Sequence, residues 1–340
     1  MKKNLLLTLC GTLISLFLLS SCEEWGDDSD DVAVTKGASN ITSSKAVVSC
    51  LANVGREAYF SSVTYGVKYS QNKADLEAEI GTISTAFVME GNEYQVTLAG
   101  LEPNTVYYYR AYVYIKPLSC YGKIKSFKTG KRKESKPEAV DLGLPSGTLW
   151  ATINIGAESP EDFGDYFAWG ETLGKLGGKT KFGWSTYLWS YGTETTLTKY
   201  CNNKSYGALG FADTLTELEL TDDAASFIWG GDWRIPSKKQ TEELFNSHYT
   251  TIEWSALNGV RGLKITSLSN GNSIFLPAAG DFIEGSIGYA NSDGQYWSRT
   301  FYEEYCKAAW VISFNSNSRG ADRVQDRGSG LSIRPVRNSK

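Results

Sequence analysis

Alternating apolar and polar positions mark a region of short strands in the first part of the chain. In its clearest segment, Tyr107 and Tyr109 lie on one face of a strand, while Tyr108 and Arg110 lie on the other. Segments of this kind are rich in β-branched and aromatic residues and are separated by glycine, asparagine or proline. They predict strands at residues 47–52, 63–69, 94–98, 106–115 and 123–127. The pattern predicts an all-β unit over residues 33–130.

A helix start stands out in the second half of the chain. After a Gly-Gly-Asp turn and a Trp-Arg-Ile-Pro segment at residues 233–236, Ser237 provides an N-cap and Gln240 completes a capping box. Helix-forming residues follow, and the spacing places Leu244 and His248 on one face. The sequence therefore predicts a helix that begins directly after Ser237.

The rest of this region predicts an α+β unit over residues 138–340. Residues 222–228 have the composition of a second short helix, and strands are expected between residues 295 and 336. A charged connector that ends in proline, residues 131–137, is the natural linker between the two units.

The front of the chain has the features of an export signal. Lys2 and Lys3 precede an apolar run at residues 5–19, which is too short for a mature membrane-spanning helix. This order predicts a secretory signal peptide over residues 1–21. The Leu-Ser-Ser-Cys segment that ends at Cys22 resembles a bacterial lipobox, which implies that this cysteine is lipidated and becomes the mature N-terminus. An ordinary cleavage site beside an incidental cysteine is the alternative.

An acidic tether, residues 22–32, follows directly. It resembles the surface-export signal of Bacteroidota lipoproteins, which implies a protein anchored by lipid to the outer membrane and facing the cell exterior. A solvated, disordered segment with no sorting role is the plainer interpretation.

The first unit resembles a fibronectin type III domain. The spacing of Leu101, Pro103, Thr105 and Tyr107 is similar to the corner at which such domains hold a tyrosine hydroxyl against the backbone. The resemblance implies an all-β sandwich, and in surface lipoproteins such domains usually act as spacers.

The second unit carries several sequence blocks in a fixed order. They are Pro-Ser-Gly-Thr-Leu-Trp-Ala at 145–151, Phe-Gly-Asp-Tyr-Phe-Ala-Trp-Gly-Glu at 163–171, Trp-Arg-Ile-Pro-Ser at 233–237, Leu-Pro-Ala-Ala-Gly at 276–280, Tyr-Trp-Ser at 296–298 and Ile-Arg-Pro-Val at 333–336. Together they resemble the Fibrobacter succinogenes major paralogous domain. The resemblance implies a C-terminal α+β domain with the C-type-lectin-like fold, in which short helices pack on twisted antiparallel sheets between long loops.

Aromatic residues on expected loops are the candidates for ligand binding. They are Trp184, Tyr187, Trp189, Trp254, Tyr289 and Tyr302, with Tyr305 as a further candidate. Exposed rings suit stacking against sugar faces or contact with a hydrophobic partner, and packing of the loops is the alternative for each one. Tryptophans of the apolar segments, Trp310 among them, are expected in the core.

Acidic residues and cysteines offer two further kinds of site. Asp213, Glu217, Glu219, Asp222 and Asp223 lie close together in sequence, and oxygen-rich clusters can hold calcium. The Glu-Pro-Asn, Gln-Pro-Asp and Trp-Asn-Asp motifs of calcium-dependent lectins are absent, however. We therefore expect no metal or cofactor, with calcium as the open alternative.

Four cysteines remain after the signal peptide and Cys22. Of the three pairings they allow, only Cys50–Cys120 with Cys201–Cys306 keeps both bonds within units, and an exported protein can form them. Formylglycine-generating enzymes, a related C-type-lectin-like family, work through closely paired reactive cysteines, and this sequence lacks that close pairing.

Charge and composition narrow the function. A net charge of −4 without a basic stripe argues against a nucleic-acid partner. His248 is the single histidine, which restricts histidine-based catalysis and metal binding. Two carboxylate pairs, Glu161 with Asp165 and Glu303 with Glu304, could serve a glycosidase, but solvation of the surface explains them better.

The sequence therefore predicts a non-catalytic surface lipoprotein that binds a glycan or a protein through its C-type-lectin-like domain, held off the membrane by the fibronectin-type spacer. A structural or accessory component of a surface assembly, such as a pilus or a nutrient-uptake complex, is the first alternative. An enzyme acting on polysaccharide is the second.

Overall fold

A computed structural model describes most of the chain. It covers residues 31–54, 63–85, 89–115, 117–131, 137–176, 178–283 and 285–339. The signal peptide, Cys22, nearly all of the acidic tether and most of the linker lie outside these residues. Within the described part, no helix has both the length and the apolar character needed to cross a membrane.

The chain divides into two compact units. The first comprises the described parts of Met1–Thr42, Ala46–Leu98 and Asn104–Thr129, and the second comprises Ser43–Lys45, Ala99–Pro103 and the described part of Gly130–Lys340. In each unit, strands account for more residues than helices do.

The described residues of the first unit form two sheets and one short helix. Its elements are β1 (Ala33–Ser39), β2 (Lys45–Ala52), β3 (Val63–Ser70), α1 (Lys73–Glu77), β4 (Thr82–Thr85), β5 (Met89–Glu90), β6 (Glu93–Ala99), β7 (Val106–Ile115), β8 (Leu118–Tyr121) and β9 (Lys125–Lys128). One sheet has the order β1-β2-β6-β5, and the other has the order β4-β3-β7-β8, with β9 also paired to β7. All five strands predicted for this unit are present, although their ends differ by up to two residues.

Alternation in β7 produces the buried face that the sequence predicted. Tyr107, Tyr109 and the small residues that follow them at every second position are buried, while their neighbours are only half-buried. Hydrogen bonds join the two sheets through this core, since the Tyr94 hydroxyl on β6 donates to the Gly66 carbonyl on β3 at 3.0 Å. Two sheets packed over alternating side chains form a β-sandwich.

The second unit combines small sheets with two helices. Its regular elements are β10 (Ala139–Asp141), β11 (Thr148–Ala151), α2 (Ala224–Trp229), α3 (Lys238–Leu244), β12 (Thr250–Leu257), β13 (Val260–Ser267), β14 (Ser273–Pro277), β15 (Asp281–Ile283), β16 (Ser286–Gly288), β17 (Asp293–Phe301), β18 (Ala308–Asn315), β19 (Arg319–Asp326) and β20 (Val336–Asn338). The described sheets have the orders β10-β11-β20, β12-β13-β14, β15-β16 and β17-β18-β19. Short 3₁₀ turns at Trp184–Thr186, Ala208–Gly210 and Leu220–Asp222 interrupt the long segment between β11 and α2.

Local capping explains where both helices begin. Asp223 caps α2 by accepting hydrogen bonds from two amides of the first turn. Ser237 caps α3, and the Gln240 side chain accepts a bond from the Ser237 amide, so the predicted capping box is confirmed. The helix ends at Leu244, however, and the prediction that His248 lies on its face is wrong. The exposed His248 instead bonds to Asn246 in the following turn.

Two buried arginines organise the core of the second unit. The fully buried Arg327 lies against the aromatic rings of Trp169, Tyr187 and Tyr200, which are also buried. Arg334 lies among backbone carbonyls and Asn154, and burial lowers the pKa of its guanidinium to about 10. Because a guanidinium carries five donors, each arginine holds several backbone segments at once.

Candidate functional site

Three aromatic rings meet at the surface of the second unit. Tyr302 and Tyr305 lie in the connection between β17 and β18, and Trp310 lies on β18 itself. The Tyr302 ring centroid is 4.9 Å from that of Trp310 and 5.9 Å from that of Tyr305. Tyr305 is 51% exposed, and the other two are half-buried. We refer to these three residues as the surface aromatic cluster.

The strand geometry explains why these rings point outward. The Tyr302 amide donates to the Ala308 carbonyl at 2.9 Å, and the Ala308 amide donates to the Tyr305 carbonyl at 2.8 Å, which makes a tight connection. Both neighbours of Trp310 are buried, so alternation turns its indole to the outer face. There it lies opposite Val324 of β19, which is exposed.

Charged groups border the cluster. Glu304 accepts a hydrogen bond from the Tyr302 hydroxyl at 2.6 Å, and this bond, followed by burial, raises the pKa of the Tyr302 phenol. The Lys238 ammonium lies 3.9 Å from the Trp310 ring centroid and pairs with Glu242. Flat apolar faces flanked by a carboxylate and an ammonium are suited to a ligand with both apolar and hydroxyl-rich surfaces.

Trp184, Tyr187 and Trp189 lie on one loop, but this loop packs on the core. Tyr187 is buried; its hydroxyl donates to the Trp169 carbonyl at 2.8 Å and accepts from the Arg327 Nε at 2.9 Å. The expectation of an exposed Tyr187 ring is therefore wrong, because the ring and its hydroxyl complete the core. Trp184 and Trp189 are half-buried against the same core.

The remaining candidates lie apart from that loop. Trp254, on β12, packs against Phe314 with ring centroids 6.3 Å apart. Tyr289 lies in the turn after β16, with a positive φ of 54° and a side chain that is 70% exposed. Tyr302 belongs to the surface aromatic cluster, so among the six candidates it alone joins an exposed group of rings in the described structure.

The acidic residues considered for calcium already have protein partners. Asp213 accepts from the backbone amides of Tyr200, Cys201 and Leu215. The other four form ion pairs. Glu217 pairs with Arg299, both Glu219 and Asp222 pair with Lys199, and Asp223 pairs with Arg234. Within the described residues, no group of three or more metal-ligating side chains is arranged around a common point.

Calcium should therefore leave the melting temperature of the protein within about 1 °C of its value in chelator, since a ligand that does not bind the native state cannot stabilise it. Each carboxylate would have to give up an ion pair or several amide bonds to bind the ion. Differential scanning calorimetry at millimolar calcium, with magnesium as the matched control ion, measures the effect. A calcium-specific rise of several degrees would contradict this expectation.

The carboxylate pairs considered for catalysis also have structural contacts. Asp165 accepts from the backbone amides of Tyr166 and Leu176 at 2.8 and 2.7 Å. Glu161 accepts from the Asn258 amide group at 2.9 Å, and Glu304 is the partner of the Tyr302 hydroxyl. These bonds give the carboxylates a role in holding loops, and the prediction of a non-catalytic protein stays a prediction.

The cysteines are buried. Cys50 lies on β2 and Cys120 on β8, which belong to different sheets of the first unit, and burial raises the pKa of the Cys50 thiol to about 11. In the second unit the Sγ atoms of Cys201 and Cys306 are 2.8 Å apart. The pairing of Cys50 with Cys120 stays a prediction.

Sequence reasoning missed Trp310 and Arg327. Trp310 stands in the unbroken apolar run Ala-Ala-Trp-Val-Ile, which shows no alternation and so suggested burial. Arg327 follows an aspartate in a polar, glycine-rich segment that is typical of a solvated turn. The side of β18 that faces outward depends on its pairing with β17 and β19, and the aromatic rings around Arg327 come from distant parts of the chain.

Comparison with known proteins bears mainly on the first unit. The family model for the "Purple acid Phosphatase, N-terminal domain" matches residues 39–129. Together with the two observed sheets, this match confirms a fibronectin-like β-sandwich for the first unit. None of the curated proteins compared matches the chain.

Several solved structures are similar to parts of the chain. One is the sensor domain of an anti-sigma factor from Pseudobacteroides cellulosolvens, with 19% identity over 31% of this chain and 79% of that chain and a TM-score of 0.23. Another is a human fibronectin type III domain, with 18% identity over 35% of this chain and 93% of that chain and a TM-score of 0.23. A third is the cycloalternan-forming enzyme from Listeria monocytogenes, with 11% identity over 89% of this chain, 30% of that chain and a TM-score of 0.21.

Proposed function

We propose that the second unit is a non-catalytic binding domain of the C-type-lectin-like class and that its ligand, most simply a glycan, binds at the surface aromatic cluster. The observation that carries this proposal is the meeting of Tyr302, Tyr305 and Trp310 at the surface beside Glu304 and Lys238. Sugar rings present apolar C–H faces and a rim of hydroxyls. Aromatic rings contact the faces, and the carboxylate and ammonium bind the hydroxyls.

The resemblance of the second unit to Fibrobacter succinogenes major paralogous domains supports this class. That resemblance rests on sequence blocks with clear structural roles in this unit. The Trp-Arg-Ile-Pro-Ser block leads into α3, and the Ile-Arg-Pro-Val block leads into β20 and contains the buried Arg334. The class does not dictate the ligand, which depends on the surface residues.

We propose further that the protein is a lipoprotein of the outer membrane that faces the cell exterior, anchored through Cys22, with the fibronectin-like unit as a spacer. The basic start, the apolar run, the Leu-Ser-Ser-Cys segment and the acidic tether support this placement. Protease treatment of intact cells tests it. Removal of the protein from intact cells is expected, and protection until the outer membrane is broken would contradict the placement.

A role as a component of a surface assembly is the second candidate, and an apolar loop surface favours it. Leu188, Tyr191, Leu209 and Phe211 are all exposed. Their loops are joined by β-bridges on both sides of Leu197, which brings them to one region of the unit. Apolar side chains grouped on loops favour a protein partner. Copurification from the native membrane would identify such a partner.

Replacing Trp310 with alanine should weaken glycan binding by about 30-fold, the size typical of an aromatic residue at the centre of a binding surface. The full chain is first screened on a glycan array with calcium and again with chelator, and the affinity for the best glycan is then measured by calorimetry. Tyr289→Ala is the matched control, because it removes an exposed tyrosine outside the cluster. Equal weakening by both variants, or none by Trp310→Ala, would contradict the site, and the absence of any glycan hit would favour the assembly role.

A further inference from the structure

Two cysteines far apart in sequence meet in the core of the second unit. Cys201 and Cys306 are 105 residues apart along the chain, yet their Sγ atoms lie 2.8 Å from each other. Neither side chain is accessible to solvent. Cys306 ends the connection that carries Tyr302 and Tyr305, and Cys201 lies in the long segment that precedes α2.

The surrounding backbone, rather than the sulfur atoms, sets this approach. The Arg327 Nη1 donates to the carbonyls of Tyr200 and Cys306, at 2.8 and 2.7 Å. On the other side, the Asn202 side-chain amide donates to the Glu303 carbonyl at 3.0 Å. The residues next to each cysteine are therefore held together by contacts that are independent of the thiols. A scaffold of this kind presents the two sulfur atoms to each other each time the unit folds.

We propose that Cys201 and Cys306 form a disulfide bond when the chain folds in contact with a dithiol-oxidising disulfide, either a small molecule or a thiol oxidoreductase. One cysteine thiolate attacks a sulfur of the oxidant disulfide, whose S–S bond breaks and releases one thiolate. The other cysteine thiolate then attacks the mixed disulfide, forms the Cys201–Cys306 bond and releases the second thiolate. The two cysteines lose two electrons and two protons, and the oxidant is reduced to two thiols.

Burial of the two cysteines determines the stage of folding at which this bond forms. The thiolate is the reactive species in disulfide exchange, and burial, followed by the hydrogen bond between Cys306 and Cys201, raises the pKa of the Cys306 thiol to about 12. In the folded unit Cys306 is thus protonated, and both cysteines are shielded from an oxidant. The bond forms while the unit is still open, and once formed it is equally shielded from reductants.

The bond restrains the connection between β17 and β18, which carries Tyr302 and Tyr305 of the surface aromatic cluster. Closing a loop of 105 residues removes a large amount of conformational entropy from the unfolded chain. In the native state, it fixes the end of the segment that begins at Tyr302. This inference concerns the covalent structure and holds whatever ligand the cluster binds.

Peptide mapping of the full chain tests the bond directly. The protein is unfolded, refolded with oxidised glutathione, alkylated in denaturant without reductant, digested and analysed by mass spectrometry. We expect a cross-linked pair of peptides containing Cys201 and Cys306, lighter by two hydrogen atoms than the sum of the free peptides. Recovery of both as alkylated thiols, as glutathione adducts or joined to Cys50 or Cys120 would overturn the proposal.

A thermal measurement provides a second, independent test. Refolding wild-type protein with reductant in place of oxidant should lower the melting temperature of the second unit by about 10 °C. The same change should leave the Cys201→Ser and Cys306→Ser variants unaffected, while Cys50→Ser should behave as wild type. A reductant effect of equal size in the Cys201→Ser variant would show that the stabilising bond lies elsewhere.

Discussion

Replacing Asp223 with alanine should lower the free energy of unfolding of the second unit by about 3–5 kcal/mol, because several donors would lose a fully buried carboxylate acceptor. The Asp223 carboxylate is fully buried. It accepts from the amides of Ala225 and Ser226 at 3.0 and 3.1 Å, and from the Ile235 amide at 3.0 Å. It also accepts from the Arg234 Nε at 2.9 Å. Alanine would leave three amides and a guanidinium without this acceptor.

The size of the effect separates this residue from an ordinary helix cap. Loss of an N-cap alone costs about 1 kcal/mol, whereas each buried donor left without a partner costs a further 1–3 kcal/mol. Asp223→Asn keeps one acceptor oxygen and should lose less stability than Asp223→Ala. The exposed Asp232, in the turn that follows α2, gives the matched control, and Asp232→Ala should change the stability by less than about 0.5 kcal/mol.

Urea unfolding followed by tryptophan fluorescence measures these differences in the second unit. Ten tryptophans are present in the chain, and all of them except Trp25 lie within residues 138–340. The signal therefore reports this unit and not the fibronectin-like sandwich. A loss below about 1 kcal/mol for Asp223→Ala would show that its bonds are replaced by water, and that the carboxylate only caps the helix.

Local signals in the sequence predicted the parts of the fold that depend on near neighbours. The capping box of α3 needs only Ser237 and Gln240, three residues apart, and the alternation of β7 needs only a single strand. The end of α3 was harder to predict, because the residues up to His248 continue an acceptable helix pattern. The chain instead turns at Asn246, whose side chain accepts from the His248 amide and bonds its ring.

The candidate site depends on how neighbouring strands pair and on the distant Lys238, and the sequence predicted only part of it. Tyr302 and Tyr305 were expected on a loop, and this was sufficient to mark them as candidates. Trp310 joins them only because β18 pairs with β17 and β19, which turns its ring outward. Tyr187 shows the opposite error. Its position on a glycine-rich loop suggested an exposed ring, but its hydroxyl accepts a hydrogen bond in the core from Arg327, 140 residues away.

Replacing Arg327 with methionine should lower the free energy of unfolding by about 3–5 kcal/mol, although methionine fills a similar space. The Arg327 guanidinium donates to the Tyr187 hydroxyl and to the carbonyls of Tyr200, Cys306 and Lys199, at distances between 2.7 and 3.0 Å. It also lies 4.8 Å from the centroid of the Trp169 ring. Methionine would preserve the packing and leave the three carbonyls without this donor.

Among the described residues, Arg327 donates hydrogen bonds to neutral oxygens and not to a carboxylate, and this decides the sign of the effect. Replacing a whole buried ion pair with apolar residues can stabilise a protein, because the desolvation of both charges is avoided. The hydrogen bonds of Arg327 instead go to neutral oxygens of the backbone and of Tyr187, which remain in the core after the substitution. Their unmet hydrogen bonds therefore outweigh the relief from burying a charge.

Two further variants make the Arg327 prediction specific. Arg327→Lys keeps the charge but cannot reproduce the fork of donors, so its stability should fall between those of the wild type and Arg327→Met. Arg323→Met is the matched control, because Arg323 is exposed on β19, and its effect should stay below about 0.5 kcal/mol. If Arg327→Met were as stable as the wild type, packing on Trp169 and not the four hydrogen bonds would account for the position of Arg327 in the core.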